Sequence, residues 1–362
     1  MSQKKKPIHI RRLVQASFAL ACLAMGIQFY LFITRIRQGI PPGVSRPQGV
    51  EAFLPIASLM EFRQFVETGI FSPVHPAGVI LLLLICASAL FIKKGFCAWV
   101  CPLGLISDLL STLHIRIFKK KYRLPKIPDR LLGLIKYGLL FFFIFTIFSM
   151  PTPALDQFIQ SPYNQFADVK MLNFFTHISP RAAGIMGALA LISFLIPHFW
   201  CRYLCPYGAL LGLISLGSLG KIKRHPEHCI GCGKCEEKCP GNISIMSRET
   251  IHSDQCSACL SCVEVCPQKG AIGFYFPGVQ GPRHPGSIAL IVLLLFAGGI
   301  FTAKALGIWK SPVPLKAYQH HIRPEPTRSM PGRMPRDPEK LRRMMEQIRK
   351  IQALKSQKGG AQ

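Results

Sequence analysis

Residues 229–267 write one ligand pattern twice. The first copy reads C-I-G-C-G-K-C-E-E-K-C-P and the second C-S-A-C-L-S-C-V-E-V-C-P. In each, three cysteines stand at C-x-x-C-x-x-C spacing, a fourth follows at C-x-x-x-C, and a proline closes the set. A cube-shaped [4Fe–4S] cluster offers three irons to one tight loop, and C-x-x-C-x-x-C wraps consecutive thiolates around it. The fourth thiolate is too far along to turn back, so it reaches the other cluster. The spacing therefore predicts one site from Cys229, Cys232, Cys235 and Cys266, and another from Cys256, Cys259, Cys262 and Cys239. Gly231, Gly233, Ser257, Ala258 and Ser261 keep the loops small, so backbone N–H groups can approach the cluster sulfurs. Zinc sites usually draw four ligands from two separated C-x-x-C pairs. A three-plus-one pattern written twice favours iron–sulfur over zinc.

The surrounding chain is apolar. Of 362 residues, 49% are hydrophobic and 17% charged, against about 25% charged in ordinary soluble proteins. That balance describes a membrane protein with soluble parts. A net charge of +27 would by itself suggest nucleic acid. Here the basic residues gather beside apolar runs, without the interleaved aromatics of a nucleic-acid surface, so no nucleic-acid partner is expected. Apolar runs cover residues 13–33, 77–96, 131–150, 182–200 and 287–306, each near the length that spans a bilayer. The first is followed by Thr34-Arg35-Ile36-Arg37 and no small-residue cleavage site, so it reads as a retained helix.

Basic residues flank the first four runs on one side only: the N-terminus, residues 93–130 and residues 202–224. The positive-inside pattern puts that side, with every cysteine motif, in the reducing cytoplasm. Parity then sends the basic tail outside. Residues 50–67 show helical apolar spacing closed by Gly69, and read as a helix packed over the bundle. An amphipathic stretch covers 103–118, and a short tail helix is expected over 338–356. The expected fold is a mainly α-helical integral membrane protein of about five transmembrane helices with a two-fold internal repeat. A small α+β two-cluster domain is inserted in it. The boundaries are 1–220 for the four-helix membrane domain, 221–285 for the two-cluster domain, 286–307 for the fifth helix and 308–362 for the tail.

The repeat lies in F-C-A-W-V-C-P-L-G and W-C-R-Y-L-C-P-Y-G, each ending an apolar run. Each C-x-x-x-C-P pair supplies two ligands, too few for a four-coordinate site. The repeat would bring Cys97, Cys101, Cys201 and Cys205 together at one face. Four thiolates suit a third cluster, a mononuclear metal, or nothing permanent. Disulfides are not expected facing the cytoplasm. Trp99, Trp200, Tyr203 and Tyr207 read as headgroup-level aromatics.

With these motifs in hand, residues 13–285 resemble membrane polyferredoxins of the NapH type, and are similar to the membrane part of NosR and to CcoG-type accessory proteins. YccM-like members match in length and motif order. The flavin-bearing periplasmic domain of NosR is expected to have no counterpart here. The resemblance implies electron transfer between the quinone pool and another redox protein, such as a periplasmic cytochrome or reductase, at the plasma (inner) membrane with the two-cluster domain cytoplasmic. Quinol oxidation would be the enzymatic part of such a role. Through CcoG it also implies an alternative, an accessory reductase for metal or cofactor assembly. A redox sensor with labile clusters is a third class.

The remaining candidates say less. Cys22 and Cys86 sit in apolar runs as packing residues. No C-x-x-C-H and no pair of facing histidines suggests haem. His75 and His177, with Asp156 or Asp168, could take quinol protons, but each reads first as a hydrogen-bonded surface group. His320 and His321 amount to a weak metal site at most.

Overall fold

A computed structural model of the protein describes residues 6–72, 74–120, 122 and 124–322. The helix expected over 338–356, and the basic tail from Arg323 onward, lie outside them. The first helix, α1 (Lys6–Arg37), is apolar on all sides. Leu13, Leu20, Leu23 and Ile27 are exposed along it, as a lipid-facing surface would be, while Phe29, Phe32 and Ile33 point inward. After a 3-10 turn, α2 (Pro55–Thr68) lies over the bundle and ends where Gly69 turns left-handed at φ 71°. This is the packing helix that the sequence pattern predicts. Next come α3 (Pro76–Ile92), α4 (Gly95–Trp99), α5 (Pro102–Phe118) and α6 (Lys126–Ser149). Three helices, α7 (Thr152–Gln160), α8 (Pro162–Gln165) and α9 (Ala167–Thr176), lead into α10 (Pro180–Leu195). A π-turn over Trp200–Leu204 precedes α11 (Pro206–Ile214).

Among the described residues, three helices are long and apolar enough to cross a membrane: α1 over Ile10–Arg37, α6 over Ile127–Ser149, and α14 (Pro285–Ala305). The bent pair α9–α10, at 81°, makes a fourth candidate. Two runs stop short of the lengths their sequences suggest. The run at 77–96 ends at Ile92 because Lys93 takes φ 56° and turns its N–H to the Ser218 hydroxyl, 3.0 Å away. The run at 182–200 ends at Leu195, where the chain loosens toward His198 at φ 64° and the π-turn. In both, the cysteine turn takes over what hydropathy alone assigns to the helix.

The two cysteine-turn segments pack reciprocally. Helix α5 lies on α10, and α3 lies on α11. Both second cysteines, Cys101 and Cys205, sit in extended backbone just before a helix that opens with proline. Two small strands, β1 (Lys221–Arg224) and β2 (Ile272–Tyr275), pair antiparallel, with Ile222 opposite Phe274. Between them lie the cysteine loops and the short helices α12 (Lys234–Lys238) and α13 (Ser261–Val265). Ile222, Ile245, Ile251 and Phe274 share one core with Ile92, Trp99, Ile288 and Phe296 of the helices. The α+β unit is thus fused to the bundle through apolar packing. At the opposite end, α15 (Leu315–Ile322) packs on α1, where Tyr318 meets Phe32 and Phe166 edge-on.

Candidate iron–sulfur sites

Two cavities in the α+β unit are ringed by the cysteine sets that the spacing predicts. One, of about 370 Å³, is lined by Cys229, Cys232, Cys235 and Cys266. The other, of about 390 Å³, is lined by Cys239, Cys256, Cys259 and Cys262. The two loops share a backbone design. Gly231 and Gly233 have positive φ, and so do Ala258 and Leu260 at the matching positions. This left-handed kink brings the Gly231 N–H to the Cys229 sulfur and the Ala258 N–H to the Cys256 sulfur. Glycine takes the kink freely in the first loop. In the second, Ala258 and Leu260 take it while buried under the helices.

The two sets differ in environment. Cys232 is exposed, whereas Cys239, Cys256 and Cys262 are buried. Burial pushes the Cys256 thiol up to about 12, against the opposing Ala258 N–H. The Cys229 thiol is lowered by the Gly231 N–H and by Arg224. Thiols buried this deeply give up their protons to a metal cation and not to water. Among the described residues, no three His, Cys, Asp or Glu side chains converge where a single ion would sit. Rings of four cysteines around open cavities fit a polynuclear cluster, which would supply one-electron chemistry at each.

The C-x-x-x-C-P turns come together as well. Burial raises the Cys97, Cys101 and Cys201 thiols, and each is raised further by thiols of the same quartet, Cys205 acting on all three. Backbone N–H groups of Leu103 and Gly104 point at Cys101, and those of Tyr207 and Gly208 at Cys205. These are helix N-terminal donors that favour a thiolate. The Ser107 hydroxyl meets the Cys201 sulfur at 3.3 Å. Glycine is required at position 104, since a Cβ there would stand 2.1 Å from the Cys97 carbonyl oxygen. The cavity beside this quartet is bounded by Cys97 and Cys201 on one side and by Cys259 on the other. Lys94 also lines it, and its backbone N–H donates to the Cys256 carbonyl at 3.3 Å.

Two of the four aromatics of the turns, Trp99 and Tyr203, lie inside the protein rather than at a membrane surface, while Trp200 and Tyr207 are half-buried. Trp99 is fully buried and donates its indole N–H to the Ala258 carbonyl. Tyr203 is buried and hydrogen-bonds Asp129. Trp99 thus holds the bundle to the α+β unit, and Tyr203 ties the second cysteine turn to α6. His198 pairs with Asp108 at 3.0 Å, and Arg11 reaches the same carboxylate at 2.9 Å. Despite burial, these partners hold the Asp108 carboxyl down at about 2.

On the far side, His75 and Asp168 are buried rather than surface groups. Arg46 bridges Glu51 and Asp168 at 2.8 Å each. The His75 backbone N–H donates to Glu61 at 3.1 Å. Burial pushes the Glu61 carboxyl up to about 7, with His75 opposing. His177 is exposed and meets Thr176, while Asp156 accepts from Gln64. Arg46, Glu51 and Glu61 escape sequence reasoning because their partners are distant in the chain. An arginine just before an acidic helical segment is the only local hint.

Comparison with known proteins agrees with this geometry. The family described as "4Fe-4S binding domain" matches residues 74–125 and again 178–225. The family described as "4Fe-4S dicluster domain" matches 221–271. YccM of Escherichia coli strain K12, named for a candidate role in electron transport, is 38% identical over 284 residues, covering 77% of this chain and 80% of its own length. The ferredoxin-type protein NapH of the same organism is 30% identical over 152 residues, 41% of this chain and 48% of NapH. Protein NirI of Paracoccus denitrificans is 29% identical over 162 residues, 44% of this chain and 23% of NirI. No solved structure matches the chain. Spanning helices, cysteine-ringed cavities and these likenesses lead to one conclusion: the chain belongs to the family of ferredoxin-type membrane electron-transport proteins that includes YccM and NapH.

Proposed function

We propose that this protein relays electrons between the quinone pool and a redox protein partner, through two [4Fe–4S] clusters and a third centre. Cys229, Cys232, Cys235 and Cys266 hold the outer cluster. Cys239, Cys256, Cys259 and Cys262 hold the inner one. Cys97, Cys101, Cys201 and Cys205 hold a third cluster or metal, at the junction of a two-fold repeated membrane domain. One observation carries the reading: the three cysteine sets follow one another as neighbours, the quartet beside Cys259 and Cys262 beside Cys235. The quartet in the turns shares a cavity wall with Cys259 of the inner set, and the inner set is buried while Cys232 of the outer set is exposed. Such an order suits single electrons moving between membrane and surface, with a protein partner docking at the outer edge.

Two further observations support the membrane arrangement. Arg11 near the start of α1 pairs with Asp108, while the network of Arg46, Glu51 and Asp168 lies by the segment that packs on α1 and α3. Helices α3 and α10 have 17 and 16 residues, or about 25 Å each at 1.5 Å per residue. Five spans, a cytoplasmic two-cluster domain over 221–285 and an outside tail follow on this reading. The test is the full-length protein in lipid nanodiscs mixed anaerobically with a quinol. Rapid bleaching of cluster absorbance is expected. Bleaching by dithionite but by no quinol, and no re-oxidation by quinone, would overturn the relay.

A further inference from the structure

The largest cavity described lies where α6 enters the bundle beneath the α+β unit. With the solvent at its open mouth counted, it spans about 1050 Å³. Its walls come from three places: Asp129, Gly133 and Tyr137 of α6, Arg202 and Tyr203 of the second cysteine turn, and residues 241–244 and 253–255 beside the inner cysteine loops. Gly241, Ile243 and Gln255 line this cavity and the inner cysteine cavity alike. One layer of residues therefore separates an occupant from the inner set, and Arg202 and Tyr203 link it to the quartet.

The polar groups are arranged in two neutralised sets. Asp129 accepts from Arg202, Tyr203 and Asn242. Asp254 accepts from Tyr137, Lys136 and Gln255. With Arg202 and Lys136 paired, the interior carries no free positive charge to attract a phosphate. Arg130 and Arg248 are exposed at the rim. Exposed Leu134 supplies an apolar edge on the bilayer-facing helix. No side chain fills the space at Gly133, where an added Cβ meets nothing within 4 Å. A neutral ring with hydrogen-bonding oxygens and an apolar tail suits such a slot.

We infer that this cavity is the quinone headgroup site, with Asp129 as the group that first takes the proton. The inference rests on the relay proposed above and adds its location. In the direction of quinol oxidation, two quinol O–H bonds break. Clusters held by the inner set and by the quartet would be the one-electron acceptors, one for each of the two electrons. Both protons leave in turn by way of Asp129 to water at the open mouth. Tyr137 and Asn242, held by their carboxylates, orient the ring oxygens.

Gly133→Leu fills the slot, Gly133→Ala is its control, and Asp129→Asn removes the proton acceptor. Full-length protein in nanodiscs is mixed with decylubiquinol or reduced menadione, and dithionite reports intact clusters. Gly133→Leu is expected to slow quinol-driven bleaching at least tenfold with an unchanged dithionite spectrum, and Gly133→Ala less than threefold. Asp129→Asn is expected to slow it with an altered pH profile. In the wild type, a photoreactive azidoquinone is expected to label peptides within 127–137 or 241–255. Wild-type rates in both Gly133→Leu and Asp129→Asn, or labelling elsewhere only, would overturn the location and leave the relay standing. A wild type that no quinol or quinone touches would overturn the relay itself.

Discussion

Trp99, in the first cysteine turn, donates its indole N–H to the carbonyl of Ala258, in the inner cysteine loop, at 3.2 Å. The two residues are far apart in the chain and both wholly inside. This bond fixes the inner loop against the membrane helices. Trp99→Phe keeps the apolar surface but leaves a buried carbonyl unpaired, at a cost of about 1–3 kcal/mol. The variant is expected to melt earlier and to lose iron from the inner set first. Iron content during mild heating checks it, and outer-set loss at the same rate would argue against the assignment.

Crossed ligation makes a separate prediction. Cys239→Ser and Cys259→Ser should disturb one electron-paramagnetic signal, while Cys235→Ser and Cys266→Ser disturb another. Cys239 grouping with Cys235 would rule out the crossed arrangement.

The repeat is not symmetric in its tolerance. A Cβ at Gly104 would press on a backbone oxygen at 2.1 Å, whereas one at Gly208 stands 3.4 Å from the matching oxygen of Cys201. Gly104→Ala is therefore expected to unseat the first turn and weaken the quartet's metal signal. Gly208→Ala should nearly retain it. Metal analysis of both variants decides the matter.

The outer polar network predicts a pH effect. Glu61 is raised to about 7 by burial, from about 4.3 in an unfolded chain. The folded state thus binds the extra proton between those values, and stability falls as pH rises through 7. His75 is also raised, since the Glu51 and Glu61 carboxylates outweigh its burial, and its contribution fades in the same direction. Melting temperature should drop from pH 5.5 to 8.5 in the wild type. Glu61→Gln should flatten much of that slope, and an unchanged slope would remove Glu61 from the account.

The grouping of the cysteines around two cavities was legible because most of each set is local: three of the four stand within one short loop. The quartet was legible through the repeated C-x-x-x-C-P. The lengths of α3 and α10 were not, since hydropathy does not register Lys93 turning left-handed or the π-turn at Trp200. Nor was the burial of Trp99 and Tyr203, which depends on where the α+β unit lands. The networks around Arg46 and Asp129 join residues up to 150 positions apart, and composition holds no trace of them.

Ala258 and Leu260 adopt the left-handed kink that glycines provide in the outer loop. For residues with side chains that conformation costs roughly 1–2 kcal/mol each, and here it is offset by their burial against the helices. The two loops consequently mature under different conditions. The outer loop takes its kink from its own glycines, and its set is complete once Cys266 has followed. The inner loop needs the finished membrane helices as a mould. Those helices come mostly earlier in the chain, so the ribosome delivers most of the mould first, and α14, the last helix to share that core, closes it.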